Sequence, residues 1–170
     1  ILPSVVNYRV LDGHREGKLK KNMQEAKAVV AFIEACIEQT EYENMTFGVI
    51  SLLGDEQAEL IQQLLDDKLG LAEVEKRQIT CGNAAHFQGD ERDVMFLSMV
   101  DSNEGELPLG KREKDSLQQR YNVAASRARN QMWVIHSLDA AHDLKQNDIR
   151  RELLEYSASP KSFQNQLYEI

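Results

Sequence analysis

The first part of the chain pairs a helical stripe with a continuous apolar run. Over residues 23–37 apolar side chains recur at helical spacing, with charged residues off the stripe, which predicts a helix. Residues 46–51 are almost continuously apolar, which is typical of a strand covered on both faces in a parallel sheet. Residues 52–54 then read as a tight turn, and Asp55 is placed to cap a second amphipathic helix. A strand therefore leads to a helix within three residues.

The same alternation continues to the end of the chain. We expect further strands at residues 5–11, 78–81, 94–100 and 132–136, and further helices at 117–129, 140–145 and 149–156. A polar stretch at 101–116 exceeds the ~12–15 residues at which structureless loops become uncommon, so it is either mobile or functional. The alternation predicts a three-layer α/β domain whose mostly parallel sheet is flanked by helices. Such sheets place ligands at the carboxyl ends of their strands.

Composition narrows the class of protein. The chain has 170 residues, 42% of them hydrophobic, with 3 Pro and 9 Gly, as expected of one globular domain. It contains no apolar run of membrane-spanning length and no signal-peptide pattern at its start. Cys36 and Cys81 stand apart from any metal-ligand spacing, so we interpret both as core residues in a reducing, cytoplasmic compartment.

Net charge limits how the chain can meet nucleic acid. Its formal charge is −8, the opposite of the basic surface with which proteins wrap duplex DNA non-specifically. Any contact with nucleic acid must therefore be local.

One segment imitates a phosphate-binding P-loop. Residues 105–111 match the pattern Gly-x-x-x-x-Gly-Lys, but Arg112 replaces the hydroxyl residue that binds Mg²⁺. Pro108 removes a backbone N–H from the phosphate nest, and Glu106 would repel phosphate. We interpret the match as coincidental. The histidines are scattered without ligand spacing, so no metal site is predicted; they are His14, His86, His136 and His142.

Two charged segments are unusual for ordinary structure. Residues 86–93 place a glycine and many polar groups before the most hydrophobic strand, and a solvated turn with ion pairs would explain them. Residues 120–129 hold three arginines on a small-residue helix, which a surface helix with a basic end would explain. However, Arg120 and Arg127 share one helical face, which is how phosphate-sensing arginines can be presented. Arg129 lies roughly 200° from Arg127 on a helix, so only one of them can address a cleft.

These segments resemble a known family. Residues 87–100, Phe-Gln-Gly-Asp-Glu-Arg-Asp-Val-Met-Phe-Leu-Ser-Met-Val, are similar to motif V of superfamily 1B helicases, in the branch of the nonsense-mediated-decay RNA helicases and their bacterial relatives. Residues 120–129, Arg-Tyr-Asn-Val-Ala-Ala-Ser-Arg-Ala-Arg, resemble motif VI. Residues 47–51 with Gln57 resemble motif IV, and residues 22–26 resemble the helix that precedes it. The order and spacing of the four segments agree with the family.

The resemblance implies a fold and an ATP site. Residues 1–157 would form the second, C-terminal RecA-like domain of an ATP-dependent helicase, with ATP in the cleft between two such domains. By similarity, Gly89 and Glu91 border the ribose and phosphates, and Gln88 supports their loop. Arg127 matches the arginine finger, and Arg120 is a second candidate for phosphate sensing. ATP and Mg²⁺ would be held mainly by the N-terminal RecA-like domain, so we expect these 170 residues alone to be inactive.

The resemblance also implies partners. Single-stranded DNA or RNA would be held through its backbone, with Ser51 at the contacting position of motif IV and Asn83 where motif V usually has Thr. Residues 158–170 read as a linker and the start of a further domain, which in some bacterial relatives is nuclease-like. Two alternatives remain open: a degenerate helicase-like domain that binds a protein or nucleic acid without turnover, and a free-standing domain that binds a small nucleotide.

Overall fold

The computed structural model describes residues 2–87, 89–111 and 114–158. The strands are β1 (Val5–Arg9), β2 (Phe47–Ser51), β3 (Thr80–Gly82), β4 (Arg92–Ser98) and β5 (Ala128–His136). The helices are α1 (Met23–Ile37), α2 (Glu56–Leu69), α3 (Leu71–Lys76), α4 (Lys114–Arg127), α5 (Ala140–Asp143) and α6 (Ile149–Ala158). Short 3₁₀ turns lie at Thr40–Tyr42 and Ala84–Phe87. The predicted linker at 158–170 falls almost wholly outside the described residues.

The strands form one parallel sheet in the order β1-β5-β4-β2-β3. Every residue of β2 is buried, because helices cover both faces of the sheet. Helices α1, α2 and α3 pack on one face, and α4, α5 and α6 pack on the other. Adjacent residues of β4 accordingly point into different cores, Phe96 toward α1 and Met95 toward α4. The predicted α/β class with a parallel sheet between helices is confirmed.

One predicted boundary is wrong at a place that matters for function. The helix predicted through residue 129 ends at Arg127, and β5 begins at Ala128 without a connecting loop. Residues 129 and 130 are taken into the sheet because β5 bulges there: Ala128 pairs with Arg92, and Gln131 pairs with Val94. Arg129 is therefore a strand residue, so the separation of roughly 200° from Arg127 that a helix would give does not apply.

The helix starts also differ from the predicted capping. Asp55 occupies the N-cap position of α2, but its side chain makes no capping hydrogen bond. Its carboxylate instead accepts from the amide of Asn83, 3.3 Å away, which links the ends of β2 and β3. Side-chain caps occur instead on α1, where Asn22 accepts from the backbone N–H of Glu25, and on α5, where Asp139 accepts from the N–H groups of Ala141 and His142.

The long polar loop after β4 is anchored rather than loose. The Leu109 N–H donates to the Asp143 carbonyl at 2.8 Å, and Arg150 donates to the Gly110 carbonyl at 2.8 Å. A P-loop offers backbone N–H groups to phosphate, whereas here Gly110 presents its carbonyl to a buried arginine. This arrangement supports the interpretation that the P-loop match at residues 105–111 is coincidental.

Candidate functional site

Two of the predicted site residues, Glu91 and Arg127, lie at the edge of the sheet where β4 and β5 begin, which we call the amino edge. Arg92 and Ala128 are paired across these strands. Glu91 and Arg127 each come one residue earlier, so they lie on adjacent chains although they are far apart in sequence. The paired residues that follow them, Arg92 and Ala128, lie on neighbouring strands, which run about 4.8 Å apart.

The loop before β4 is held in place by Arg92, which is 5% exposed. Its guanidinium forms an ion pair with Asp90 at 2.8 Å and donates to the Glu91 carbonyl at 2.9 Å. It also donates to the Gln78 carbonyl at 2.9 Å, and its charged carbon lies 5.6 Å from the centre of the Phe87 ring. Sequence reasoning gave Arg92 no role, although a charged residue opening a strongly hydrophobic strand is a signal of such a contact.

Gly89 has a backbone conformation that favours glycine. Its φ is +72°, and no atom lies within 4 Å of the place where a Cβ would be. The loop is therefore open to solvent at this point, and a ligand can approach the main chain closely. Gln88, its predicted support, lies outside the described residues.

Arg127 is partly buried and has an unsatisfied hydrogen-bond donor. Its Nε is buried without a hydrogen-bond partner, and among the described residues its guanidinium forms no ion pair. A buried donor left unpaired costs about 1–3 kcal/mol, so an acceptor that reaches it gains binding energy. Arg127 is therefore the described residue at the amino edge best suited to an incoming anion.

Arg129 differs from Arg127 in having anionic partners within the chain. Its Nε lies 3.4 Å from Asp93 and 3.9 Å from Glu91. Asp93 in turn accepts from the backbone N–H of Thr46 at 2.8 Å. These contacts balance the charge of Arg129 and leave Arg127 as the less engaged of the two arginines.

Arg120 lies at the opposite edge of the sheet, where β2, β3 and β4 end, which we call the carboxyl edge. Its Nη1 donates to the carbonyls of Ser51 at 2.9 Å and Gly54 at 3.3 Å. The shared helical face predicted for Arg120 and Arg127 thus spans the sheet, with one arginine near each edge. Phosphate sensing by Arg120 stays a prediction, but its guanidinium is engaged with backbone.

The two residues predicted to contact nucleic acid are both at the carboxyl edge. Ser51 is fully buried, and its hydroxyl donates to the Leu53 carbonyl at 2.7 Å. A phosphate contact by this hydroxyl would require residues 51–54 to rearrange. Asn83 is partly exposed, with its amide bonded to Asp55. Both roles stay predictions, and Asn83 has the more accessible side chain.

A buried polar network around Glu25 joins the strand ends at this edge. One carboxylate oxygen accepts from the Ser98 hydroxyl and the Val100 N–H, both at 2.9 Å. The other accepts from Asn22 at 2.9 Å and from the Ser137 hydroxyl. Burial raises the pKa of Glu25 to about 7. Sequence reasoning noted Asn22 and Glu25 only as part of a resemblance.

We expect Glu25 to make stability fall as pH rises. Its pKa is raised from 4.5 to about 7 on folding, so its stabilising effect is full below pH 4.5 and lost as pH rises through 7. The Glu25→Gln variant keeps a neutral group there, so it should gain about 2–3 kcal/mol over the wild type between pH 5 and pH 8. Urea unfolding of both chains measures this difference.

The comparison with wild type is needed because His136 has the opposite effect. Burial lowers its pKa to about 4, so its contribution is lost as pH falls below 6.5. That contribution is common to both chains and cancels in the difference. A difference that stays constant from pH 5 to pH 8 would contradict the prediction.

Two other kinds of feature, a metal site and a membrane span, are absent from the described ranges. No group of three or more His, Cys, Asp or Glu side chains there has the geometry to hold a metal ion. In the same residues, no helix has the length and hydropathy needed to cross a membrane.

Comparison with known proteins gives two matches. A family model described as an AAA domain matches residues 5–139. The DNA polymerase alpha-associated DNA helicase A of Saccharomyces cerevisiae is 30% identical over 113 residues, which cover 65% of this chain and 15% of that protein. The chain therefore corresponds to a small part of this relative. Because the family model covers most of the chain, the chain belongs to the AAA domain family, and its similarity to a DNA helicase supports a helicase-like family.

Proposed function

We propose that this chain is the second motor domain of an ATP-dependent nucleic-acid helicase and forms one wall of its ATP cleft. The observation that carries the proposal is the unpartnered buried Nε of Arg127 beside Glu91 at the amino edge. Phosphate oxygens suit that donor, because an arginine guanidinium forms strong charge-assisted hydrogen bonds with them. The similarity to a DNA helicase supports the same proposal.

The residues at the amino edge have different roles toward the nucleotide. Bound ATP and Mg²⁺ supply the phosphoryl group that is transferred to water and the cation that balances its charge. Arg127 donates to the oxygens of that group and opposes the negative charge that builds there. Glu91 accepts from the ribose hydroxyls, and the open main chain at Gly89 lets the nucleotide approach. In this proposal Gln88 supports their loop.

The other nucleotide contacts are assigned elsewhere. We place the P-loop and the metal ligands in a first motor domain of the same protein, which closes the cleft from the other side. Arg120 is left out of the nucleotide group because two backbone carbonyls already engage its guanidinium.

Single-stranded DNA or RNA is proposed to follow the carboxyl edge. Asn83 offers a partly exposed amide there, and the end of β2 at Ser51 lies beside it in the sheet. An acidic chain can hold a strand at such a point because hydrogen bonds to a few phosphates fix the backbone without a broad basic surface.

Replacing Glu91 with alanine in the full-length protein tests the nucleotide assignment. We expect KM for ATP to rise about tenfold with a smaller change in kcat, because hydrogen bonds to a charged group are worth about 1.5–3 kcal/mol. Steady-state ATP hydrolysis with saturating single strand measures both constants. Glu59→Ala is the matched control, since Glu59 is an exposed carboxylate in the first turn of α2 at the other edge.

Two results would contradict the proposal. The first is that single-stranded nucleic acid does not stimulate ATP hydrolysis by the full-length protein. This result would favour the non-catalytic alternative. The second is a KM in Glu91→Ala that equals the value in Glu59→Ala.

A further inference from the structure

Arg120 connects α4 to the turn that follows β2. Its side chain is partly buried, and its Nη1 reaches the carbonyls at both ends of residues 51–54, here called the 51–54 turn. The Ser51 hydroxyl donates to the Leu53 carbonyl within the same turn. Three carbonyls of the turn are thus held by two side chains, and only Arg120 comes from another element.

The turn and α4 also share a hydrophobic core. Leu52 and Leu53 are 1% and 8% exposed, and they belong to the same buried cluster as Leu117 and Tyr121 of α4. Because this contact is close-packed, the turn cannot shift without moving the helix or leaving a cavity. The 51–54 turn and α4 are therefore joined twice, by the hydrogen bonds of Arg120 and by this apolar contact.

Helix α4 extends from this turn to the amino edge. Arg120 and Arg127 are separated by two helical turns, or about 10 Å of rise. The side chain of Ala124, between them, is fully buried against the sheet. A short helix packed on the sheet therefore joins the two arginines.

An unsatisfied group of α2, on Glu56, lies against the 51–54 turn. Oε2 of Glu56 is buried without a hydrogen-bond partner, and it lies against Gly54, where an added Cβ would come within 2.4 Å of it. A buried acceptor without a donor costs free energy. A rearrangement of the turn that gave this oxygen a donor would therefore gain free energy.

We infer that Arg120 is a positioning residue that couples a nucleic-acid strand at the 51–54 turn to the arginine finger at Arg127. The inference rests on the proposed function, which places the strand at the carboxyl edge and ATP at the amino edge. Strand binding shifts the turn, Arg120 and the shared core carry the shift into α4, and Arg127 moves toward the phosphate. Arg120 itself contacts neither ligand.

The coupling is measured as an equilibrium between the two ligands. In the full-length protein, fluorescence anisotropy gives Kd for labelled oligothymidine and oligouridine, with and without a non-hydrolysable ATP analogue and Mg²⁺. We expect the analogue to change Kd of the wild type at least about fivefold, and by less than about twofold in Arg120→Gln. The strand affinity without nucleotide should stay close to that of the wild type.

Two further variants complete the test. Arg120→Lys keeps the positive charge but lacks the planar fork of donors, so its coupling should be reduced yet measurable. Arg151→Gln removes a partly exposed arginine on α6 that pairs with Glu155, and it should keep the wild-type coupling. If the Arg120→Gln variant is unfolded, the coupling measured in Arg120→Lys tests the inference instead.

Each contrary outcome has a distinct meaning. Wild-type coupling in Arg120→Gln, or in Arg120→Lys where the glutamine variant is unfolded, overturns the inference alone. Loss of ATP-analogue binding in Arg120→Gln also overturns it, because Arg120 would then be a nucleotide ligand. A wild-type protein that binds neither strand overturns the proposed function and this inference together.

Discussion

Replacing Arg127 with alanine in the full-length protein is expected to lower kcat for ATP hydrolysis by about 10³–10⁵-fold, with little change in binding to single strands. In the proposed role its guanidinium opposes charge that develops only in the transition state, a contribution of about 4–7 kcal/mol. Among the described residues its buried Nε has no hydrogen-bond partner, so within them the substitution breaks no hydrogen bond of this atom. Steady-state hydrolysis at saturating nucleic acid, beside strand binding at fixed salt, measures both quantities.

Arg129→Ala is the matched control, because Arg129 carries the same charge two residues away and already faces Asp93 and Glu91. We expect its loss of turnover to be far smaller than that of Arg127→Ala. If Arg129→Ala is the inactive variant, or if Arg127→Ala hydrolyses ATP like the wild type, the assignment of the finger is wrong.

Replacing Arg150 with alanine is expected to destabilise the fold by about 3–5 kcal/mol, because it leaves a buried carboxylate without its cation. Arg150 is 1% exposed and bonds Asp148 through Nε at 3.0 Å and Nη2 at 2.6 Å. It also pairs with Asp101 at 2.8 Å. Burial alone would raise the pKa of Asp148, yet hydrogen bonds from Arg150 hold that pKa below its usual value.

Urea unfolding of the two chains measures the loss, with Arg151→Ala as the neighbouring control. Arg151 is paired with Glu155 near the surface, so its removal should cost at most about 1 kcal/mol. An Arg150→Ala chain as stable as Arg151→Ala would show that the buried ion pairs contribute no net stability.

Hydrophobic periodicity predicts best those helices and strands that are held in place mainly by a buried apolar face. The apolar stripe from residue 23 to residue 37 predicts a helix there, and α1 spans these residues, with an Asn22 cap that we did not predict. The end of α4 was missed since Arg129 and Asn130 are polar and favour neither state locally. Their place in β5 depends on pairing and a bulge opposite β4, which are tertiary contacts.

The candidate site was only partly predictable for the same reason. The resemblance identified Glu91 and Arg127 as site residues. The register of β4 with β5 explains why the two residues lie at the starts of neighbouring strands. The resemblance also identified Arg120, whose bonds to two carbonyls depend on how α4 lies across the sheet. Helical spacing shows that two arginines share a face, but it does not show that the face spans both edges of the sheet.

We propose above all that ATP binds at the amino edge, and hydrogen exchange of the full-length protein tests this proposal most directly. The measurement compares backbone amides with and without a non-hydrolysable ATP analogue and Mg²⁺. We predict slower exchange at residues 89–93 and 124–130, and unchanged exchange at 105–111. Protection at residues 105–111 without any at 89–93 would contradict it and would make the Gly-Lys loop the phosphate site.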